Sequence, residues 1–234
     1  MSTRFVNAYN LLDHSLRTQY NFKTNISFSD LIRRCASLNQ VIRAYEDDLI
    51  DLARLRNAIV HHNSDKVIAE PHEDVVELLE KIARIISTPP LAIEIIKSVR
   101  VETIPATAML IEYILQTERV GHSNIPVYRR NTLIGVLHRH IFVEAIAKVA
   151  KNGRSLDSFL SGTTVEQYLC EFPSNNHFTI VSAAITIEQV LALFNNNRKI
   201  TSIIVTTDGT ASGILKGIIT PADILDMMNI MEGF

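Results

Sequence analysis

The sequence is poor in cysteine: Cys35 and Cys170 are the only two among 234 residues. They lie far apart and have no second pair, which excludes a disulfide framework and a cysteine-based zinc site. Long apolar runs are missing too. Nothing approaches the roughly 18–20 consecutive apolar residues that span a bilayer, and Asp13 and His14 interrupt the opening "MSTRFVNAYNLLDHSL" where a signal core would be apolar. A soluble, cytoplasmic protein with no membrane partner is expected. Neither sign of charge is in excess: 23 lysines and arginines face 25 carboxylates, for a net charge of −2. Such a balance lacks the global basic field of a constitutive nucleic-acid binder but leaves room for a local basic site. There is no Walker loop, no Gly-x-Gly-x-x-Gly, no Gly-x-Ser-x-Gly and no His-Glu-x-x-His. His72-Glu73 lacks a third ligand at metal spacing, so no metal site is expected. What the chain does have is 47% apolar residues, enough for one large core or two small ones.

The first 88 residues read as helices. Phe5, Tyr9, Leu12 and Leu16 recur at spacings of three and four, a single apolar stripe. "SFSDLIRRCASLNQVI" follows, with Ser29 placed to cap the helix and Leu31, Cys35, Leu38 and Ile42 on one face. "YEDDLIDLARLRNAIVHH" runs from acidic to basic, as the helix dipole favours, and Asn63-Ser64 reads as its stop. "PHEDVVELLEKIARIIS" makes a fourth helix, with Pro71 in its first turn and Val75, Leu79, Ile82 and Ile86 inward. The prolines of "STPP" (87–90) then halt the helix and stiffen the join.

Beyond that join the pattern changes to short β-branched runs alternating with helices, and it repeats. "TIPATAMLIEYIL" (103–115) lies over "TIVSAAITIEQVL" (179–191), with Thr103/Thr179, Ile104/Ile180, Ile111/Ile187, Glu112/Glu188 and Leu115/Leu191 identical. "LIGVLHRHI" (133–141) lies over "LKGIITPAD" (215–223), the second copy having the longer loop "DGTASG". Each copy reads as β-α-β-β-α: a strand, a helix (106–118 or 186–195, the latter opened by the capping box of Thr186 and Gln189), two strands and a closing helix. A duplication of this size implies two similar units, each covering the apolar face of the other.

The repeated strand–helix–"IPVY"–turn–"GVL" order, ending in "GIITPADIL", resembles a tandem pair of CBS domains, a Bateman module, over about 97–231. The Gly217-Ile-Ile-Thr220-Pro-Ala-Asp223 string carries the resemblance. It implies two copies packed around a pseudo-twofold axis, with clefts that hold adenosine-containing ligands such as AMP or ATP. The residue chemistry agrees: Thr220, between a strand and a helix start, can offer a hydroxyl and backbone N–H groups to phosphate, and Asp223 can accept a ribose diol. By the same resemblance the purine slot comes from the other copy, around Val101, Thr103, Ser123, Asn124, Ile125 and Pro126. Equally, Thr220, Pro221 and Asp223 make a good helix start whatever they bind. The first copy has His138 and Ile141 in place of Thr220 and Asp223, and isoleucine cannot hold a diol.

Arg56-Asn57 followed by His61, in a small helical bundle, is similar to the HEPN superfamily, many of whose members are metal-independent endoribonucleases. The resemblance implies a homodimer that pairs the motifs, an RNA substrate, and catalytic roles for Arg56, Asn57 and His61. Arg56 would hold phosphate oxygens and His61 would move the proton of the 2′-hydroxyl. Positions five apart point about 140° apart on a helix, so the two meet one phosphate only past a frayed helix end or across a dimer. The structural alternative places Arg56 and His61 at the negative end of a helix, with Arg54 and Arg56 paired to Asp47, Asp48 or Asp51. Asp51 is also placed to orient Arg56.

The expected protein is thus α+β with two domains: a four-helix bundle over 1–88, and over 89–234 two βαββα CBS repeats at about 97–150 and 164–231. The function this implies is a nucleotide sensor controlling a metal-independent endoribonuclease. The alternative is a non-catalytic regulator whose helical domain serves dimerisation or partner docking.

Overall fold

The computed structural model describes residues 1–60, 69–96, 101–174 and 176–233. The chain divides into two compact units: Met1–Pro90 with Thr186–Ala192 and Met228–Phe234, and Leu91–Ile185 with Leu193–Met227.

In the first unit, helix α1 (Ser2–Gln19) buries the expected stripe of Phe5, Tyr9, Leu12 and Leu16. The stretch read as one second helix is two, α2 (Phe28–Ala36) and α3 (Gln40–Ala44). Its cap is Ser27 rather than Ser29: the Ser27 hydroxyl accepts the Asp30 N–H at 3.1 Å, and Phe28 joins the core. The break at Ser37–Asn39 is stabilised locally. Arg43 donates to the Ala36 carbonyl at 2.8 Å, and the buried Asn39 amide oxygen accepts the Ile42 N–H at 3.0 Å. Leu38, expected inward, falls in the break and is exposed. Helix α4 (Glu46–Val60) has the expected acidic first turn; its expected stop at Asn63-Ser64 lies outside the described residues. Helix α5 (Glu73–Ser87) starts at His72, so Pro71 stands outside its first turn. Val76, not Val75, takes the buried position, with Val75 packed at the core's edge.

The second unit holds two three-stranded sheets of like topology. In the first copy β1 (Ile104–Pro105) pairs in parallel with β2 (Asn124–Arg129), and β2 pairs antiparallel with β3 (Thr132–His138). Helix α6 (Leu110–Val120) lies between β1 and β2 in the chain, and α7 (Arg139–Lys151) follows β3. Helices α8 (Leu156–Gly162) and α9 (Val165–Glu171) join the copies. The second copy repeats the order with β4 (Phe178–Ser182), α10 (Ile187–Asn196), β5 (Ser202–Thr206), β6 (Leu215–Ile219), a 3-10 turn (Pro221–Asp223) and α11 (Ile224–Gly233). Even the bulges correspond: each follows the pair in which a valine faces the glycine of the last strand, Val127 with Gly135 and Val205 with Gly217. Helix α6 begins at Leu110 rather than 106, because the Ala106 and Ala108 carbonyls, which a longer helix would need, accept the Glu166 and Val165 N–H groups instead. The Thr186–Gln189 capping box forms as expected, with bonds of 3.1 and 3.2 Å. Leu133, Val136 and Ile204 pack the two sheets together, and the Leu133 N–H donates to the Ala211 carbonyl at 2.8 Å. Among the described residues no helix is long and apolar enough to cross a membrane.

Candidate functional site

At the C-terminal end of β6 lies a cavity of about 260 Å³, lined by Ile95, Ile96, Val101, Glu102, His122, Ser123, Asn124, Ile218, Thr220 and Asp223. Small-molecule sites typically begin at roughly 300 Å³, so this one suits a nucleoside-sized occupant better than a larger one. Local sequence explains the lining. Gly121 ends α6 in the left-handed conformation at φ 71° and delivers His122, Ser123 and Asn124 to the rim. Period-two alternation along β2 then turns Ile125 into the core while Asn124 faces the cavity.

Thr220 and Asp223 form a closed turn. The Thr220 N–H and hydroxyl donate to the same Asp223 oxygen, Oδ2, at 2.7 and 3.0 Å, and the Asp223 N–H returns a bond to the Thr220 carbonyl at 3.0 Å. The carboxylate is half-buried and oriented, ready to accept a pair of hydroxyls; the Thr220 proton must turn away from it to serve a phosphate. At the other side, Glu102 accepts from Gln116 at 3.2 Å and stands 3.6 Å from Arg119. Asn124 meets the second copy: its amide oxygen accepts the Thr201 hydroxyl at 3.4 Å and its amide nitrogen donates to the Thr201 carbonyl at 3.5 Å. The cavity therefore offers an apolar wall of Ile95, Ile96, Val101 and Ile218 and a polar end with an oriented carboxylate.

Of the residues named from sequence, Val101, Ser123, Asn124, Thr220 and Asp223 line this cavity. Thr103 is exposed, its carbonyl accepting from Gln116 at 3.2 Å, while Ile125 and Pro126 are buried. Ile95 and Ile96 were missed because the run after "STPP" reads as a mere join. Ile218 was a legible addition: of the two isoleucines between Gly217 and Thr220, Ile219 is fully buried and Ile218 lines the cavity. In the first copy, His138 caps α7, its Nδ1 accepting the His140 N–H at 3.2 Å. Burial, then the neighbouring His140, His177 and Arg139, hold its pKa below the usual histidine value and keep it a neutral acceptor.

Arg56 and Asn57 lie in the last turn of the described part of α4; His61 falls outside the described residues. The half-buried Arg56 guanidinium sits over the Tyr9 ring at 5.4 Å, and its Nε is buried without a hydrogen-bond partner among the described residues. Asp51 pairs with Arg54 at 2.7 Å, so it does not orient Arg56 as expected. Asn57 is exposed.

Residues 171–229, which span most of the second copy, match the family model described as the CBS domain. No curated protein matches the chain significantly. Among solved structures, the CBS domain of a bacterial CNNM/CorC family Mg2+ transporter in complex with ATP is 20% identical. The match covers 68% of this chain and 98% of that one, with a TM-score of 0.47. CBSX2 in complex with AMP is 16% identical, covering 61% and 98%, with a TM-score of 0.43. A CBS domain protein from Streptococcus pneumoniae TIGR4 is 18% identical, covering 58% and 83%, with a TM-score of 0.43.

Proposed function

We propose that the chain is a cytoplasmic, nucleotide-sensing regulatory protein whose CBS pair, within 89–234, takes an adenosine-containing nucleotide in the cavity beside Thr220 and Asp223. One observation carries this reading: an apolar wall and an oriented carboxylate share one nucleoside-sized cavity. In the proposed complex Ile95, Ile96, Val101 and Ile218 hold the purine, Asp223 takes the ribose diol, and Thr220 with the start of α11 faces phosphate. The first copy, with His138 and Ile141, holds no ribose. AMP and ATP, found in the two liganded structures above, are the first probes.

Residues 1–88 are proposed as the module that occupancy controls, within a homodimer. Its catalytic form would cut RNA with Arg56, Asn57 and His61, without a metal. The non-catalytic form, a dimerisation or docking domain, is favoured by the packing of Arg56 on Tyr9, which gives that arginine a structural role. RNA cleavage lost in Arg56→Ala and His61→Ala, with the fold intact, would restore the catalytic form.

Isothermal titration with AMP and ATP tests the sensor. The wild-type chain should bind at least one of them, and Asp223→Ala should bind about 10–100-fold more weakly, the loss expected for charge-assisted bonds to a diol. Binding by neither, or unchanged binding by Asp223→Ala, would contradict the assignment.

A further inference from the structure

The duplication extends to a feature outside the two sheets. In each copy the last strand carries a glycine, Gly135 in β3 and Gly217 in β6, and each glycine leaves a notch filled by an aliphatic side chain from a short leading helix. A Cβ on Gly135 would stand 2.7 Å from the Leu169 side chain, which follows the first turn of α9. A Cβ on Gly217 would come closer still to the side chain of Ile96, which follows the 3-10 helix Ala92–Ile95. The leading helices are also anchored alike: the Val165 N–H donates to the Ala108 carbonyl at 2.8 Å, and the Ala92 N–H to the Ile185 carbonyl at 2.9 Å.

The two devices differ in what surrounds them. Leu169 packs against the first copy's core, beside the buried Val165 and Tyr168 on the same α-helix. Ile96 and Ile95 instead form a wall of the Asp223 cavity, carried by a single 3-10 turn. Such a turn has poorer hydrogen bonds than an α-helix, and this one gains contacts on its cavity side only when something fills the cavity.

We propose that Leu91–Ile96 is a ligand-responsive latch: an occupant of the cavity packs on Ile95 and Ile96, holds Ile96 in the Gly217 notch and fixes this segment, whereas Leu169 in the Gly135 notch is the permanently closed counterpart. The latch rests on the nucleotide reading above and adds its regulation. It follows Pro89 and Pro90 directly, so fixing it constrains the chain that leads back to α5. Occupancy then acts through the stability of a segment rather than a large movement.

Amide hydrogen exchange of the full chain, with and without AMP or ATP at saturation, tests this. Nucleotide should slow exchange of the Ala92, Glu94 and Ile96 amides by about fivefold or more, while Val165 and Tyr168 stay unchanged. Gly217→Ala, whose methyl would meet the Ile96 side chain, should abolish the slowing at nucleotide concentrations that saturate the variant. Ile96→Ala, which also trims the cavity wall, should do the same from the other side at nucleotide concentrations that saturate it, and leave the strand intact. Nucleotide binding to the wild-type chain without slowing overturns the latch and leaves the sensor standing, as does equal slowing in both variants. Absence of binding overturns both.

Discussion

At the scale of single residues, Tyr9 and Arg56 show how one contact changes a reading. The string Arg56-Asn57…His61 suggests catalysis because sequence shows residue types and spacing but not where a side chain of α1 lies. The Tyr9 ring packs on Phe28 in a tilted arrangement, 4.3 Å between centroids, and also carries the Arg56 guanidinium at 5.4 Å. Burial, with a contribution from Asp13, pushes the Tyr9 phenol up to about 12, against the opposing pull of Arg56 and Arg17. Burial likewise raises the Cys35 thiol to about 11. Both groups keep their protons in the folded state after the unfolded chain has lost them, so their contribution is whole below the unfolded pKa values and fades as pH rises through the folded ones. The helical unit should therefore lose stability from about pH 9 upward. Urea denaturation followed by circular dichroism between pH 8 and 11 checks this: Tyr9→Phe should flatten the decline above pH 10, and an unchanged slope would show that the phenol is not held neutral.

At the scale of elements, the sequence was most legible where one periodic stripe met one core. The stripe of α1 and the order of strands and helices in both repeats could be read directly, because burial imposes the period. The break between α2 and α3 could not. "CASLNQVI" keeps helical spacing through Cys35, Leu38 and Ile42, and nothing in it is a glycine or proline. What decides the matter is Arg43, which caps the freed carbonyl of Ala36, and Asn39, whose buried amide starts α3. Both are polar contacts to the backbone, which the spacing of apolar residues does not report. Asn39→Ala removes this cap and should cost about 1–2 kcal/mol in urea denaturation. A loss below about 0.3 kcal/mol, within the usual scatter of surface changes, would mean that the break needs no cap.

At the scale of the whole chain, duplication was the strongest signal and also marks where sequence reasoning stopped. Equivalent positions could be aligned from "LIGVLHRHI" and "LKGIITPAD", which exposed the replacement of Thr220 and Asp223 by His138 and Ile141. The alignment did not include Ile95 and Ile96, because a leading segment of four residues in a 3-10 turn has no periodicity to detect. They complete the apolar wall. Function thus rests on an asymmetry within a symmetric pair: the second copy keeps an oriented carboxylate, with the 3-10 segment that precedes the first copy packed on its Gly217, whereas the first copy has His138 and Ile141 and receives the α-helical Leu169 at Gly135.

The central claim, that this one cavity takes an adenosine nucleotide, is tested most directly by methyl NMR of the isoleucine-labelled chain titrated with AMP. Ile95, Ile96 and Ile218 methyl signals should shift together with a single saturation curve, while Ile134 and Ile146 of the first copy stay in place. Saturable shifts confined to the first copy, or none anywhere, would contradict it.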